Sequence, residues 1–124
     1  MNKNDDQYQK NIEQSLIDIA VESWKFSRLF SRLLDKLDAG ESSRYVNQHR
    51  FYLKRLDENL KQAGIRLVNV EGQIYDIGMA ATALNAEDFD PDDNLVVDQM
   101  LEPIIMEEEG LVRTGTVILR KVEL

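Results

Sequence analysis

At Gly64 the spacing of apolar residues changes, and that change limits the chain to a helical half followed by a β half. Before it, Ile12, Leu16, Ile19, Ser23, Phe26, Phe30, Leu33 and Leu37 recur at alternating spacings of 4 and 3, a heptad seam with one polar member. Ala20, Trp24, Leu29 and Leu34 widen the seam into a stripe suited to packing on more than one neighbour. The spacing predicts a helix over roughly residues 10–38, after a polar, frayed start. Gly40 in the Asp38–Ser43 break suits a helix C-terminus, and Ser42 or Ser43 suits the next N-cap. Val46, His49, Leu53, Leu56, Leu60 and Ala63 then predict a second amphipathic helix over roughly 43–63, stopped by Gly64.

Past Gly64 the period falls to two. Ile65–Val70, the Glu71-Gly72 turn and Gln73-Ile74-Tyr75 read as a hairpin. Ala80–Leu84 fits strand or helix. Leu95-Val96-Val97 and Ile104-Ile105-Met106 bracket Pro103, which marks an edge or a bulge. Leu111-Val112 and Thr116–Leu119 complete the strands, with Gly115 at a bend between them.

A lone hairpin of helices leaves most of a wide stripe in water. Burial is worth about 1.5–3 kcal/mol per large apolar side chain, so Trp24, Phe26, Leu29, Phe30, Leu33 and Leu34 call for a cover. That cover is the β half or a second hairpin. The second hairpin makes a four-helix bundle, hence a homodimer with Ile19, Phe26, Phe30, Leu33 and Leu37 at its interface. The expected fold class is α+β. An N-terminal helical hairpin over residues 1–64 carries the dimer contact, and a small, mainly antiparallel β-domain over 65–124 binds the partner.

Charge narrows the partners. The chain carries −8 in all, but residues 1–64 hold 11 Lys/Arg against 10 Asp/Glu, and residues 65–124 hold 4 against 13. A β half at −9 is a poor match for phosphates, so no nucleic acid is expected. No run approaches the ~18 apolar residues of a membrane span, and the polar start lacks the apolar stretch of a signal peptide. With no cysteine there is no disulfide or thiolate site, and a cytoplasmic location is expected.

Chemistry finds little purchase. Asp88, Asp90 and Asp92 alternate as calcium ligands would, but Asp93 stands where an EF-hand loop needs glycine and Gln99 where it needs glutamate. His49 is the only histidine, which reads as a bundle residue bonded to a neighbour. The glycines form no phosphate-cradling loop, and no serine sits in a nucleophile elbow. The expectation is a binding protein, without catalytic residue, metal or cofactor.

At the helix-to-sheet junction, Leu53, Leu56 and Leu60 lead to Gly64-Ile65, then Asn69-Val70-Glu71-Gly72-Gln73 and Ile74-Tyr75-Asp76. That order resembles the GrpE family, nucleotide exchange factors of DnaK-type chaperones. Its last helix runs into a Gly-Val or Gly-Ile step, followed by a short strand, a Glu-Gly turn and a Phe-Asp-Pro-like triplet. Val117-Ile118-Leu119-Arg120 resembles the Val-Leu-Arg element of the family's last strands. The resemblance covers roughly residues 44–124. Ile77 stands where the family has proline, and only about ten polar residues stand in place of the family's long stalk helix. The resemblance implies a divergent or truncated co-chaperone that binds the nucleotide-binding domain of a DnaK-type chaperone. It places Tyr75, Asp76, Gly78 and Met79 in the contact, with Arg120 beside them. The competing expectation is an acidic interaction or inhibitor protein, of the immunity or secretion-chaperone type, covering a basic site on its partner.

Overall fold

A computed structural model describes residues 3–123 of the chain; Met1, Asn2 and Leu124 lie outside the described residues. The fold is α+β. Helix α1 (Lys3–Leu34) and helix α2 (Ala39–Gln62) come first. Six strands follow: β1 (Ile65–Val68), β2 (Ala81–Ala83), β3 (Leu95–Glu102), β4 (Ile104–Glu107), β5 (Gly110–Arg113) and β6 (Gly115–Lys121). Chain contacts divide the molecule into two compact units, one running to Asn59 and the other starting at Leu60.

In the first unit, α1 starts earlier than the apolar spacing predicts. Residues from Lys3 on are helical, and Asp5 and Asp6 lie in the first turn, where carboxylates favour the helix dipole. The turn between the helices also differs from expectation. Helix α1 stops at Leu34 and tightens through Lys36 N–H to Leu33 O (3.1 Å) and Leu37 N–H to Leu34 O (3.1 Å). Asp38, not Ser42 or Ser43, caps α2: its Oδ1 accepts the Glu41 N–H at 2.9 Å. Gly40 therefore sits in the first turn of α2, and Leu37 lies in the connection rather than on α1.

The buried stripe of α1 is not the full heptad seam. Ile17, Ala20, Val21, Trp24, Ser27 and Leu34 are buried. Ile12, Ile19, Phe26 and Leu33 are exposed, while Leu16, Ser23, Phe30 and Leu37 are half-buried. Ser27 is the one buried polar residue of the set, and its Oγ lies 2.7 Å from Nε2 of His49 on α2. The hydrogen bond satisfies both groups, and the Phe30 ring covers the imidazole at a centroid distance of 5.3 Å.

In the second unit, the strands form two three-stranded sheets, ordered β1-β4-β5 and β2-β6-β3. Three of the four pairings are antiparallel; β2 runs parallel to β6. Buried Pro103 separates β3 from β4, so the chain passes from one sheet to the other where proline removes a ladder donor. Ile65, Val97, Ile105 and Val117 are almost wholly buried. Along β6, buried Gly115, Val117 and Leu119 alternate with Thr116 and Ile118, the period of a strand with one face inward.

The expected 65–75 hairpin does not form. Strand β1 pairs with β4, Ile65 opposite Glu107 and Val68 opposite Ile104. Glu71 turns inward, where its carboxylate accepts the Met100 N–H at 2.9 Å. Gly72 then donates to Val97 O at 2.8 Å, which lays the following residues along β3 instead.

Candidate functional site

Of the residues that carry the family resemblance, Asn69–Gln73 and Ile74–Asp76 lie in the β1–β2 connection. Gly64, just before β1, has φ +75°, and Gly72, within the connection, has φ +82°, left-handed conformations that side chains resist. Beyond Gly72 the chain is stitched to β3. Val97 N–H donates to Gln73 O (2.9 Å), Tyr75 N–H donates to Leu95 O (2.9 Å), and Ile74 bridges Val96.

Asp76 builds the turn that follows. Its Oδ1 accepts the Gly78 N–H at 2.9 Å and its carbonyl accepts the Met79 N–H at 2.8 Å, an Asx-type turn. Gly78 has no left-handed φ, and a Cβ there would meet Asp76 Oδ1 at an ordinary 3.6 Å. Its smallness is therefore not demanded by the backbone. Tyr75 and Met79 are half-buried. Two apolar residues that the resemblance does not place in the contact stand far into solvent: Ile74 is 78% exposed and Ile77 94%. The one signal for Ile77 was its apolar character at the position after Tyr75-Asp76, inside a turn.

Arg120 lies on β6 opposite Val96, and Ile74 bridges Val96 from the other side. The loop and Arg120 thus flank one position of β3, about 10 Å apart at the usual strand spacing. Arg120 is paired with Asp98 (Nε–Oδ1 3.3 Å) and stays largely exposed.

The acidic loop is partly self-satisfied. Asp93 Oδ2 accepts the Asp90 N–H at 2.9 Å, and Lys121 Nζ lies 3.4 Å from Asp93 Oδ1. That backbone donor, and Lys121 behind it, hold the Asp93 carboxyl below the usual carboxylate range despite some desolvation. Among the described residues no group of three or more His, Asp or Glu side chains is placed to hold a metal ion. The Ser27–His49 hydrogen bond has the spacing of a nucleophile–base pair. It sits mid-helix, where the interior backbone N–H groups are bonded to carbonyls of their own helix.

No helix among the described residues is long and apolar enough to cross a membrane. No family model matches the chain, and no curated protein or solved structure matches it either.

Proposed function

We propose that this chain is a GrpE-like co-chaperone module. Its β unit docks on the nucleotide-binding domain of a DnaK-type chaperone and promotes nucleotide exchange. The chain acts as a homodimer, in the cytoplasm, and contributes binding rather than catalysis. The observation that carries this reading is the β1–β2 connection. Residues Asn69–Asp76 of the resemblance lie in one tethered loop, with Gly72 in a left-handed conformation, its turn closed by Asp76, and Ile74 and Ile77 displayed. A loop ordered before binding loses little conformational entropy on docking. An apolar tip held rigidly can prefer one conformation of a partner, and that preference is what shifts the partner's population.

The rival is an acidic cover over a basic site. A β half at −9 supports it, while the internal bonds of Asp93 count against it, because a carboxylate already held by Lys121 has less to offer a partner. Titration of the chaperone against two variants at two salt concentrations separates the readings. On the co-chaperone reading, Tyr75→Ala and Ile77→Asp each weaken binding by on the order of 2 kcal/mol. Replacing Asp88, Asp90, Asp92 and Asp93 by asparagine then changes it little. On the rival reading the asparagine loop slows association steeply at low salt. An Ile77→Asp variant that folds and binds like wild type would remove the loop from the site.

A further inference from the structure

Helix α1 carries a second apolar line besides its buried stripe. Ile12, Ile19, Phe26 and Leu33 repeat every seven residues and are each more than half exposed, Phe26 at 64%. Seven residues return a helical side chain to within about 20° of its start, so the four form one row. The intervening turn positions are Leu16, Ser23 and Phe30 on the side of the buried stripe and Ser15, Glu22 and Leu29 on the other, with Glu22 the one charge among them. Helix α2 supplies a parallel row, Tyr45 and Tyr52, again seven residues apart and only partly covered. Between the rows lies an open groove of ≈ 310 Å³ lined by Phe26, Ser27, Phe30, Gln48, His49 and Tyr52. Its aromatic walls stand over the Ser27–His49 hydrogen bond, which leaves no unpaired polar side chain at its base.

Three arguments identify the occupant. A seven-residue repeat presents the knobs and holes that suit another helix with the same repeat. Ile12, Ile19, Phe26, Leu33, Tyr45 and Tyr52 each leave on the order of 100 Å² uncovered. Together they approach the roughly 800 Å² that each partner of a stable complex contributes. A lipid surface is a poor rival, since anionic headgroups attract clustered cations and the helical half nearly balances its charges in a chain of net −8.

We propose that a second copy of this chain covers the face, and that Phe26 of each copy enters the other's groove, against the partner's Phe30 and Tyr52. This rests on the homodimer reading and adds where its energy lies. Phe26 is already mostly exposed in one copy, so Phe26→Ala removes the contact without opening a cavity in the protomer.

The test is the dimer dissociation constant by sedimentation equilibrium, on the full chain, with helical circular dichroism as the check on folding. Wild type is expected to dimerise in the micromolar range or tighter. Phe26→Ala and Tyr52→Ala should each weaken the dimer at least tenfold. The double variant should lose clearly less than the product of the two, because the residues share one contact. A wild type that stays monomeric at 100 μM overturns both the dimer and the groove assignment. So does a wild-type monomer recruited instead to anionic vesicles. A dimer whose dissociation constant is unchanged by Phe26→Ala leaves the homodimer standing and overturns the groove assignment alone.

Discussion

Asn85 substitutes for a peptide unit. Its Nδ2 donates to Leu119 O and its Oδ1 accepts the Leu119 N–H, both at 2.9 Å, so one side chain continues the ladder that β2 begins beside β6. Removing it leaves a donor and an acceptor of a core strand unpaired in a partly buried place. Asn85→Ala should therefore lower the unfolding free energy by about 1–3 kcal/mol, measured by denaturant titration. Asn85→Asp keeps the acceptor for the Leu119 N–H but sets a carboxylate oxygen against the Leu119 carbonyl, so at pH 7 it should destabilise at least as much as alanine. Asp93 gives a pH signature of the opposite origin. Its folded-state pKa lies below the unfolded value of about 3.8. The carboxylate therefore favours the fold above that pH, and the contribution is lost as pH falls through the lowered folded value. The melting-temperature gap between wild type and Asp93→Asn should be present at pH 7 and close as the pH drops below about 4. A gap of constant size across that range would show that the ionised carboxylate does not matter.

Among the elements, the corner between β3, β4 and β6 is the tightest. A Cβ on Gly115 would meet Met100 Cε at 2.6 Å, the Glu102 carbonyl oxygen at 2.9 Å and Ile104 Cγ1 at 3.0 Å. The methionine can swing aside, but the carbonyl belongs to the backbone of β3, and overpacking of this kind costs about 1–3 kcal/mol. Gly115→Ala should destabilise the second unit by that amount. Gly72→Ala should also destabilise it, there through the left-handed φ, since the added Cβ meets nothing within 4 Å. The period change at Gly64 made the order of helices and strands readable, because amphipathic spacing is a local property. What the spacing left open was non-local. Both rows of α1 are apolar: the heptad spacing picked out Ile19, Phe26 and Leu33 with Ala20 and Trp24 beside them, and missed Ile17 and Val21, which the single chain buries. Glu71-Gly72 has the composition of a hairpin turn, yet Glu71 is engaged by Met100, 29 residues away, and β1 finds β4 instead. The parallel β2–β6 pair leaves no mark in either strand's sequence. Of the site, Tyr75 and Asp76 were legible through a resemblance in order. Ile77 entered only as the residue standing where the family has proline, and its exposure could not be read until the turn was seen.

At the scale of the whole molecule, the two units offer different surfaces. The helical unit offers an apolar face of heptad spacing, and the β unit, acidic in composition, offers a tethered loop with an apolar tip. A binder of this design speeds nucleotide release only if it prefers the partner's open state, and an equal affinity for both states would do nothing. Ile77 is the discriminating residue. At 94% exposure it makes no contact the fold depends on, so Ile77→Asp should leave the melting temperature unchanged while removing activity. The decisive measurement is the release rate of fluorescently labelled nucleotide from a DnaK-type chaperone of the same organism, with and without this protein. The account predicts that wild type accelerates release at least tenfold and that Ile77→Asp, folded and dimeric, does not. Release at the unassisted rate in the presence of saturating wild-type protein would contradict it.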